Sequence, residues 1–219
     1  GSGAAWHDTF ASVPEGPFLL VANEFFDALP VRQFEFRRGH WNERVIGAEG
    51  LGLRPGAAVG RPGKEGDVFE VSPARQAVAQ EIGRRLAFTT GAALIIDYGH
   101  LQSAMGDTLQ ALHRHKMVPV THLPGESDLT SHVDFEALGQ AFSKAGGRVA
   151  PALTQRAFLL QMGLEIRASV LAAKADSAQL AMLNRVVGRL VDEDKMGKLF
   201  KVLAVTSPNL ATPYPFGGA

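Results

Sequence analysis

Phe18-Leu19-Leu20-Val21-Ala22-Asn23-Glu24-Phe25-Phe26-Asp27-Ala28-Leu29-Pro30 is a short apolar run that breaks into an amide, two carboxylates and two aromatic rings. Apolar runs of this length without polar alternation mark strands covered on both faces, as in parallel sheets. The carboxyl ends of such strands are where open α/β sheets bind ligands. The stretch is therefore read as a buried strand that delivers Asn23, Glu24 and Asp27 to one place, with Phe25 and Phe26 as apolar walls. The alternative is a polar turn that only caps a helix, with Asp27 as its N-cap.

A second run has the same grammar. Ala92-Ala93-Leu94-Ile95-Ile96 leads into Asp97-Tyr98-Gly99-His100. Between the two runs, Ser72-Pro73 gives an N-cap with proline at the first helical position. From Ala74 to Leu86, apolar residues at 74, 77, 78, 82 and 86 keep close to helical spacing. Two strands joined through a helix become parallel neighbours that empty onto one rim.

Bulk properties narrow the function classes. The chain has 219 residues, 46% hydrophobic and 20% charged, enough for one large α/β domain or a domain with an insertion. Its formal net charge is zero, with pI near 7.3, so no long-range field favours nucleic acid or an acidic membrane surface. The chain has no cysteine, which removes disulfides, thiol nucleophiles and zinc–thiolate sites. No apolar run approaches the roughly 18 residues of a membrane span, and no signal peptide is visible. The chain opens Gly1-Ser2-Gly3 like a tag remnant, and its first methionine is Met105. The expectation is a segment of a longer protein.

The remaining elements are set by pattern. Residues 31–36 alternate as a half-exposed strand, Arg38-Gly39-His40 turns, and 41–46 pairs back. Residues 47–66 are glycine-dense with prolines at 55 and 62, so a small inserted β element is placed at 31–70. Thr108 to Leu112 reads as a short strand and 113–133 as a polar stretch. Asp134 caps a helix ended by Gly146-Gly147. Arg148 to Leu153 is a strand, Thr154 caps a helix ended by Gly163, residues 164–172 and 177–191 are helical, and 199–205 is a last strand.

Several motifs fail on inspection. Gly63-Lys64-Glu65 is no phosphate loop, because Glu65 stands where Ser or Thr binds magnesium and Ala58 where the first glycine belongs. No G-x-G-x-x-G follows a strand, and no G-x-S-x-G elbow exists. His113, His115, His122 and His132 lack any single-helix ligand spacing, so no metal is assigned. Asp128-Leu129-Thr130-Ser131-His132-Val133-Asp134 is too short for a catalytic triad. It is either a helix start with His132 exposed or a loop that brings His132 and Asp128 to substrate.

Six blocks in order carry a resemblance: Asn23 to Pro30; Glu70-Val71-Ser72-Pro73-Ala74; Ile96-Asp97-Tyr98-Gly99; Gly106-Asp107-Thr108-Leu109-Gln110-Ala111; Pro124 to Phe135; and Met196 to Val202. Together they resemble the MidA family of class I S-adenosylmethionine-dependent methyltransferases. The resemblance implies the later part of a Rossmann-like α/β sheet with helices on both faces. The family's glycine-rich loop after the first strand, and the acidic residue after the second, have no counterpart here. The resemblance places Trp6-His7-Asp8 at the end of the third strand, where Asp8 would meet the cofactor's adenine. It places Asn23-Glu24 at the end of the fourth and Asp97 at the end of the fifth. Asp8, Asn23 and Glu24 are thus the cofactor candidates.

The family's mitochondrial member is a protein arginine methyltransferase needed for respiratory complex I assembly, so a planar cationic guanidinium is the implied acceptor. Carboxylates bind such a group bidentately, which casts Glu24 and Asp27 as orienting acids. Phe25, Phe26 and Tyr98 would wall the acceptor, Asp97 and Asp128 would bind it, and His132 would take a proton. The implied partners are a protein substrate such as a complex I subunit, with a homodimer left open. The implied place of action is the bacterial cytoplasm. A non-catalytic assembly module and a small-molecule methyltransferase are the competing readings.

Overall fold

The computed structural model describes residues 3–48, 50–56 and 59–217, so Gly1, Ser2, three positions of the glycine-dense loop, Gly218 and Ala219 lie outside the described residues. The edge segment β1 (Phe18–Asn23) is followed by four strands, β2 (Arg32–Arg37), β3 (His40–Gly47), β4 (Gly50–Pro55) and β5 (Val68–Val71). Those four form a separate antiparallel sheet in the order β4-β3-β2-β5. Its core is Phe34, Trp41 and Phe69. Its rim carries charge pairs: Glu43 is held between Arg32 and Arg54, which bring its carboxyl down to about 2.

Helix α1 (Pro73–Phe88) starts at Ser72, whose side chain accepts the Arg75 N–H, and leads into β6 (Gly91–His100). A three-stranded patch comes next: β7 (Gln110–His113) falls on the short strand expected at 108–112, and β8 (Lys116–Val118) and β9 (Asp128–Thr130) lie within the stretch read as polar. The chain continues through β10 (Val133–Asp134), α2 (Phe135–Lys144), β11 (Arg148–Val149) and β12 (Leu153–Thr154). Pro151 sits between the last two. It has no N–H for the ladder, which is why one predicted strand becomes two short pieces. Helices α3 (Gln155–Gln161), α4 (Leu164–Ala172), α5 (Ser177–Val191) and α6 (Met196–Leu199) precede the last strand, β13 (Phe200–Thr206).

The main sheet runs β1-β6-β13-β11. β1 and β6 are parallel, with Phe18 opposite Gly91 and Asn23 opposite Ile96, and β13 is antiparallel to β6. Two apolar clusters sandwich it. Ala93, Ile95, Leu203 and Val205 pack with Ala79, Ile82 and Leu86 of α1 and Phe142 of α2. On the other face Leu94, Ile96, Val202 and Ala204 pack with Phe158 of α3 and Phe216. Burying each such side chain is worth about 1.5–3 kcal/mol.

One expectation needs correction. β1 is covered on one face only: Leu19 is 86% and Val21 69% exposed, because the helices on that face reach β6 and β13 but not the edge strand. Gly99 serves the site directly. A Cβ there would lie 2.0 Å from the Val133 carbonyl oxygen, so only glycine lets β10 approach the end of β6. That approach brings His132 beside the strand ends.

Candidate functional site

The carboxyl ends of β1 and β6 lie side by side, as their parallel register requires. The Glu24 N–H donates to the Ile96 carbonyl at 2.9 Å, extending the ladder by one residue. Glu24 then takes a φ of 49°. That left-handed conformation costs a side-chain-bearing residue about 1–2 kcal/mol, and it turns the chain off the sheet. Asp97 holds the turn that results. Its Oδ2 accepts the N–H groups of Phe26 and Asp27 at 3.0 and 3.1 Å, and its Oδ1 accepts the Tyr98 N–H at 2.9 Å. The Tyr98 hydroxyl donates to Asp27 Oδ2 at 2.5 Å. No helix begins at Asp27; the segment is a turn closed by Leu29 N–H to Phe26 O at 3.1 Å.

Arg75 locks this turn to the segment before α2. Its guanidinium donates to the carbonyls of Phe26, Asp27, Ser131 and His132 and to the Ser131 hydroxyl, at 2.7–3.0 Å. Sequence reading passed over it, although a signal exists. Arg75, Ala79, Ile82 and Leu86 form the buried stripe of α1, with a guanidinium at one end of an otherwise apolar face. Thr108 was missed too. Its hydroxyl donates to Glu70 at 2.5 Å and accepts the His132 N–H at 2.9 Å. Glu70 in turn accepts the N–H groups of Thr108 and Leu109 and the Gln33 amide. These bonds pin the loop at Asp107-Thr108-Leu109 to the second sheet.

The predicted residues divide into spent and unspent groups. Phe26 and Asp97 are 0% exposed and Asp27 is 5% exposed. Phe26 belongs to the core, edge-on to Phe142, and both acids are consumed inside the turn. The expectation that these three face a ligand is therefore corrected; their exposed surface is gone because they build the turn. Asn23 and Glu24 are exposed, and among the described residues their side chains bond only to each other, at 3.3 Å. Phe25 is exposed beside them, edge-on to Phe26. His132 is half-buried with its ring centroid 5.7 Å from that of Tyr98. Asp8 is exposed in a bend before the short 3-10 turn Phe10–Ser12, and no strand precedes β1 among the described residues. Asp128 is exposed on β9, and its side chain bonds to none of the rim residues. Among the described residues no cluster of three or more metal-ligating side chains occurs.

Electrostatics track burial. Asp97 is pushed up to about 7, first by burial and then by the nearby Asp27 carboxylate, against the three backbone N–H donors. Burial, then the hydrogen bond to Asp27, raises Tyr98 far above the usual phenol range. His132 is lowered by burial and next by the His100 charge, which favours a neutral imidazole. Lys201 caps the far side, its ammonium donating to the carbonyls of Gly99, Lys198 and Leu199.

The Asp97 environment has a testable sign. A folded-state value above the ordinary one near 3.9 means that the folded protein holds this proton more tightly than the unfolded chain. The stability tied to Asp97 is then fully present at low pH and declines as pH rises from about 4 to about 7. A 13C titration of the Asp97 carboxyl should give a midpoint near 7. Asp97→Asn, which keeps one acceptor oxygen, should flatten the dependence of Tm on pH across that window. A midpoint below about 5 would contradict the burial assigned to this group.

Residues 2–153 match the family model described as "Putative S-adenosyl-L-methionine-dependent methyltransferase". A curated rat protein, protein arginine methyltransferase NDUFAF7, mitochondrial, is 35% identical over 92% of this chain and 48% of its own length. The human protein of the same name is 31% identical over 92% of this chain and 48% of its own length. The chain thus spans about half the length of the curated relatives it matches. A Burkholderia thailandensis crystal structure, described as a "likely methyl transferase" bound to S-adenosyl-homocysteine, superposes with a TM-score of 0.80 at 31% identity. It shares 92% of this chain and 56% of that one. With a sheet order, a rim and a family match that agree, the chain belongs to the MidA-like family of S-adenosylmethionine-dependent methyltransferases.

Proposed function

We propose that this chain forms the acceptor-binding half of an S-adenosylmethionine-dependent protein arginine methyltransferase. The observation that carries the reading is the Asn23–Glu24 pair: two polar side chains at the end of a parallel strand, exposed and spent on no other part of the fold. Elsewhere on this rim the acids are used up in holding the turn. Residues with no structural employment at a strand end are where a ligand is expected in an open α/β sheet.

Asn23 fits the donor side of the rim by position and by free hydrogen-bonding capacity, and Glu24 beside it the acceptor side. S-adenosylmethionine, when bound, supplies a methyl carbon on a sulfonium sulfur. The protein's own task is then to hold a guanidinium nitrogen in line at about 3–3.5 Å and to relieve it of a proton. Glu24 would grip the guanidinium and offset its charge. Phe25 would flank the aliphatic stem. His132, kept neutral by burial, would accept the proton. Tyr98, fixed by its bond to Asp27, would hold the His132 ring edge-on. In a longer chain the remaining strands of the sheet would pair along the outer edge of β1, and the elements joining them would cover Leu19 and Val21 on its open face.

The partner in this reading is a protein, a respiratory complex I subunit being the class the family resemblance favours, and the place of action is the bacterial cytoplasm. No helix among the described residues is long and apolar enough to cross a membrane. Self-association would use the outward faces of α4 and α5, where Ile166, Val170, Met182 and Val186 are exposed. Sedimentation at micromolar concentration should show a dimer that Met182→Lys dissociates; a monomer throughout would remove that part.

In a chain that also carries the relatives' other half, Glu24→Gln should lower methylation of the protein partner by about 100-fold or more. The dissociation constant for S-adenosylmethionine, read by isothermal titration, should stay within about threefold, because Glu24 acts mainly on the acceptor. Undiminished turnover would remove Glu24 from the reaction.

A further inference from the structure

Lys201, the second residue of β13, is a buried cation without a counterion. Only 6% of it is exposed, and among the described residues no carboxylate lies within ion-pair distance of it. Its ammonium is met by carbonyl oxygens alone: that of Gly99 at 2.8 Å, that of Lys198 at 2.5 Å and that of Leu199 at 2.9 Å. Three acceptors match the three N–H groups of the charged form, where a neutral amine offers two. We propose that Lys201 is the positioning residue for His132: its ammonium pins the end of β6 against which His132 is seated and sets a fixed positive charge whose field reaches that imidazole. The proposal rests on the proposed role of His132 as proton acceptor.

Two of the three bonds are ordinary helix capping, because Lys198 and Leu199 end α6 and cations favour a helix C-terminus. The third is not. β13 accompanies β6 only as far as the pair Phe200–Tyr98, so Gly99 lies one residue past that ladder. There the Lys201 ammonium takes the place of a strand N–H on the Gly99 carbonyl. Gly99 is also the residue that β10 approaches, with Val133 as its register partner. His132 directly precedes Val133, and its ring stands edge-on to Tyr98, the residue before Gly99. Phe200 lies with its ring centroid 5.5 Å from that of Tyr98. The start of β13 thus holds both residues on which the imidazole rests, Tyr98 by ring contact and Gly99 by a hydrogen bond.

Bracing alone does not require a charge. A neutral amide here would donate to two carbonyls at a lower desolvation cost. What the ammonium adds is a field that burial leaves weakly screened. The groups around His132 are His100 and Tyr98 on β6, Glu70 on β5, Asp134 on β10, Arg75 on α1 and Lys201 itself. Burial is the largest influence lowering the imidazole's basicity; the charges of His100, Lys201 and Arg75 act in the same direction, and Glu70 opposes them. Arg75 is set against Asp97, Glu70 and Asp27. Lys201 meets no such anion, so its field on the imidazole is not offset by an ion pair of its own.

The test is an NMR titration of the imidazole signals in this chain, with His40 on the second sheet as internal reference. Lys201→Gln removes the charge and keeps two donors. The His132 midpoint should then rise by at least about 0.3 pH unit while that of His40 stays within about 0.1. Lys201→Arg keeps the charge and should show less than about half of that rise. Lys201→Met removes charge and donors together. It should raise the midpoint at least as far and weaken the nuclear Overhauser contact between the His132 and Tyr98 rings by about twofold or more. In a chain that also carries the relatives' other half, Lys201→Gln should move the acid limb of kcat against pH upward by the same amount as the midpoint. The KM for the protein acceptor should stay within about threefold, a split that lost packing would not produce. A His132 midpoint unmoved in Lys201→Gln and Lys201→Met overturns the proposal, as does a rise in Lys201→Arg equal to that in Lys201→Gln. Loss of the dispersed amide spectrum in all three variants makes Lys201 a core brace only and overturns it too. A midpoint that moves while the kcat limb stays put supports the coupling and removes His132 from the proton transfer. A midpoint that stays while methylation still depends on Glu24 sinks this inference and leaves the catalytic reading standing.

Discussion

The Arg75 guanidinium is the interaction on which the rest of the site depends. Only 6% of the residue is exposed, so its charge is held largely out of water, at a cost of several kcal/mol unless its donors are met. They are met by four carbonyl oxygens and one hydroxyl from two segments that each lie about fifty residues from Arg75 in sequence. Burial works to lower its basicity, and the charges of Asp97, Glu70 and Asp27 work against that. Because every acceptor is fixed to backbone or to a short side chain, the geometry has one solution. The turn after β1 and the segment before α2 have to sit where the fork of donors puts them.

This constraint sorts the acids of the rim. Asp97 and Asp27 read from sequence as ligand groups, since both end an apolar strand run. In the fold, Asp97 substitutes for the helix that does not form: it accepts the N–H groups that a first helical turn would leave unpaired. Asp27 is then enclosed beside it, bonded to the Tyr98 hydroxyl. The acid left free is Glu24, held outward by its left-handed backbone. A rigid turn made of buried acids therefore presents one exposed acid, as a preorganised site needs.

Much of the architecture was legible because it depends on local rules. Ser72-Pro73, Asp134 and Thr154 do cap helices, each accepting the N–H three residues on. The parallel pairing of the two apolar runs was implied by the helix between them. What escaped had non-local causes. Whether Asp27 would cap a helix or enter a turn depended on Asp97, some seventy residues later. The exposure of Leu19 and Val21 depends on which elements cover the sheet's edge, which the pattern of a single strand does not contain. Arg75 was overlooked because a charged residue near a helix start ordinarily belongs to solvent, and its partners are carbonyls, which leave no mark in a sequence.

The central claim is that Arg75 and Asp97 together make the turn after β1 a rigid part of the fold. Hydrogen exchange at the Phe26 and Asp27 amides tests it most directly. Both should be protected to the same order as the β6 amides, and Arg75→Met should release them by about 30- to 100-fold while β6 stays protected, the loss of about 2–3 kcal/mol of local stability. Fast exchange in the unsubstituted protein, or protection that survives the loss of the guanidinium, would contradict the account.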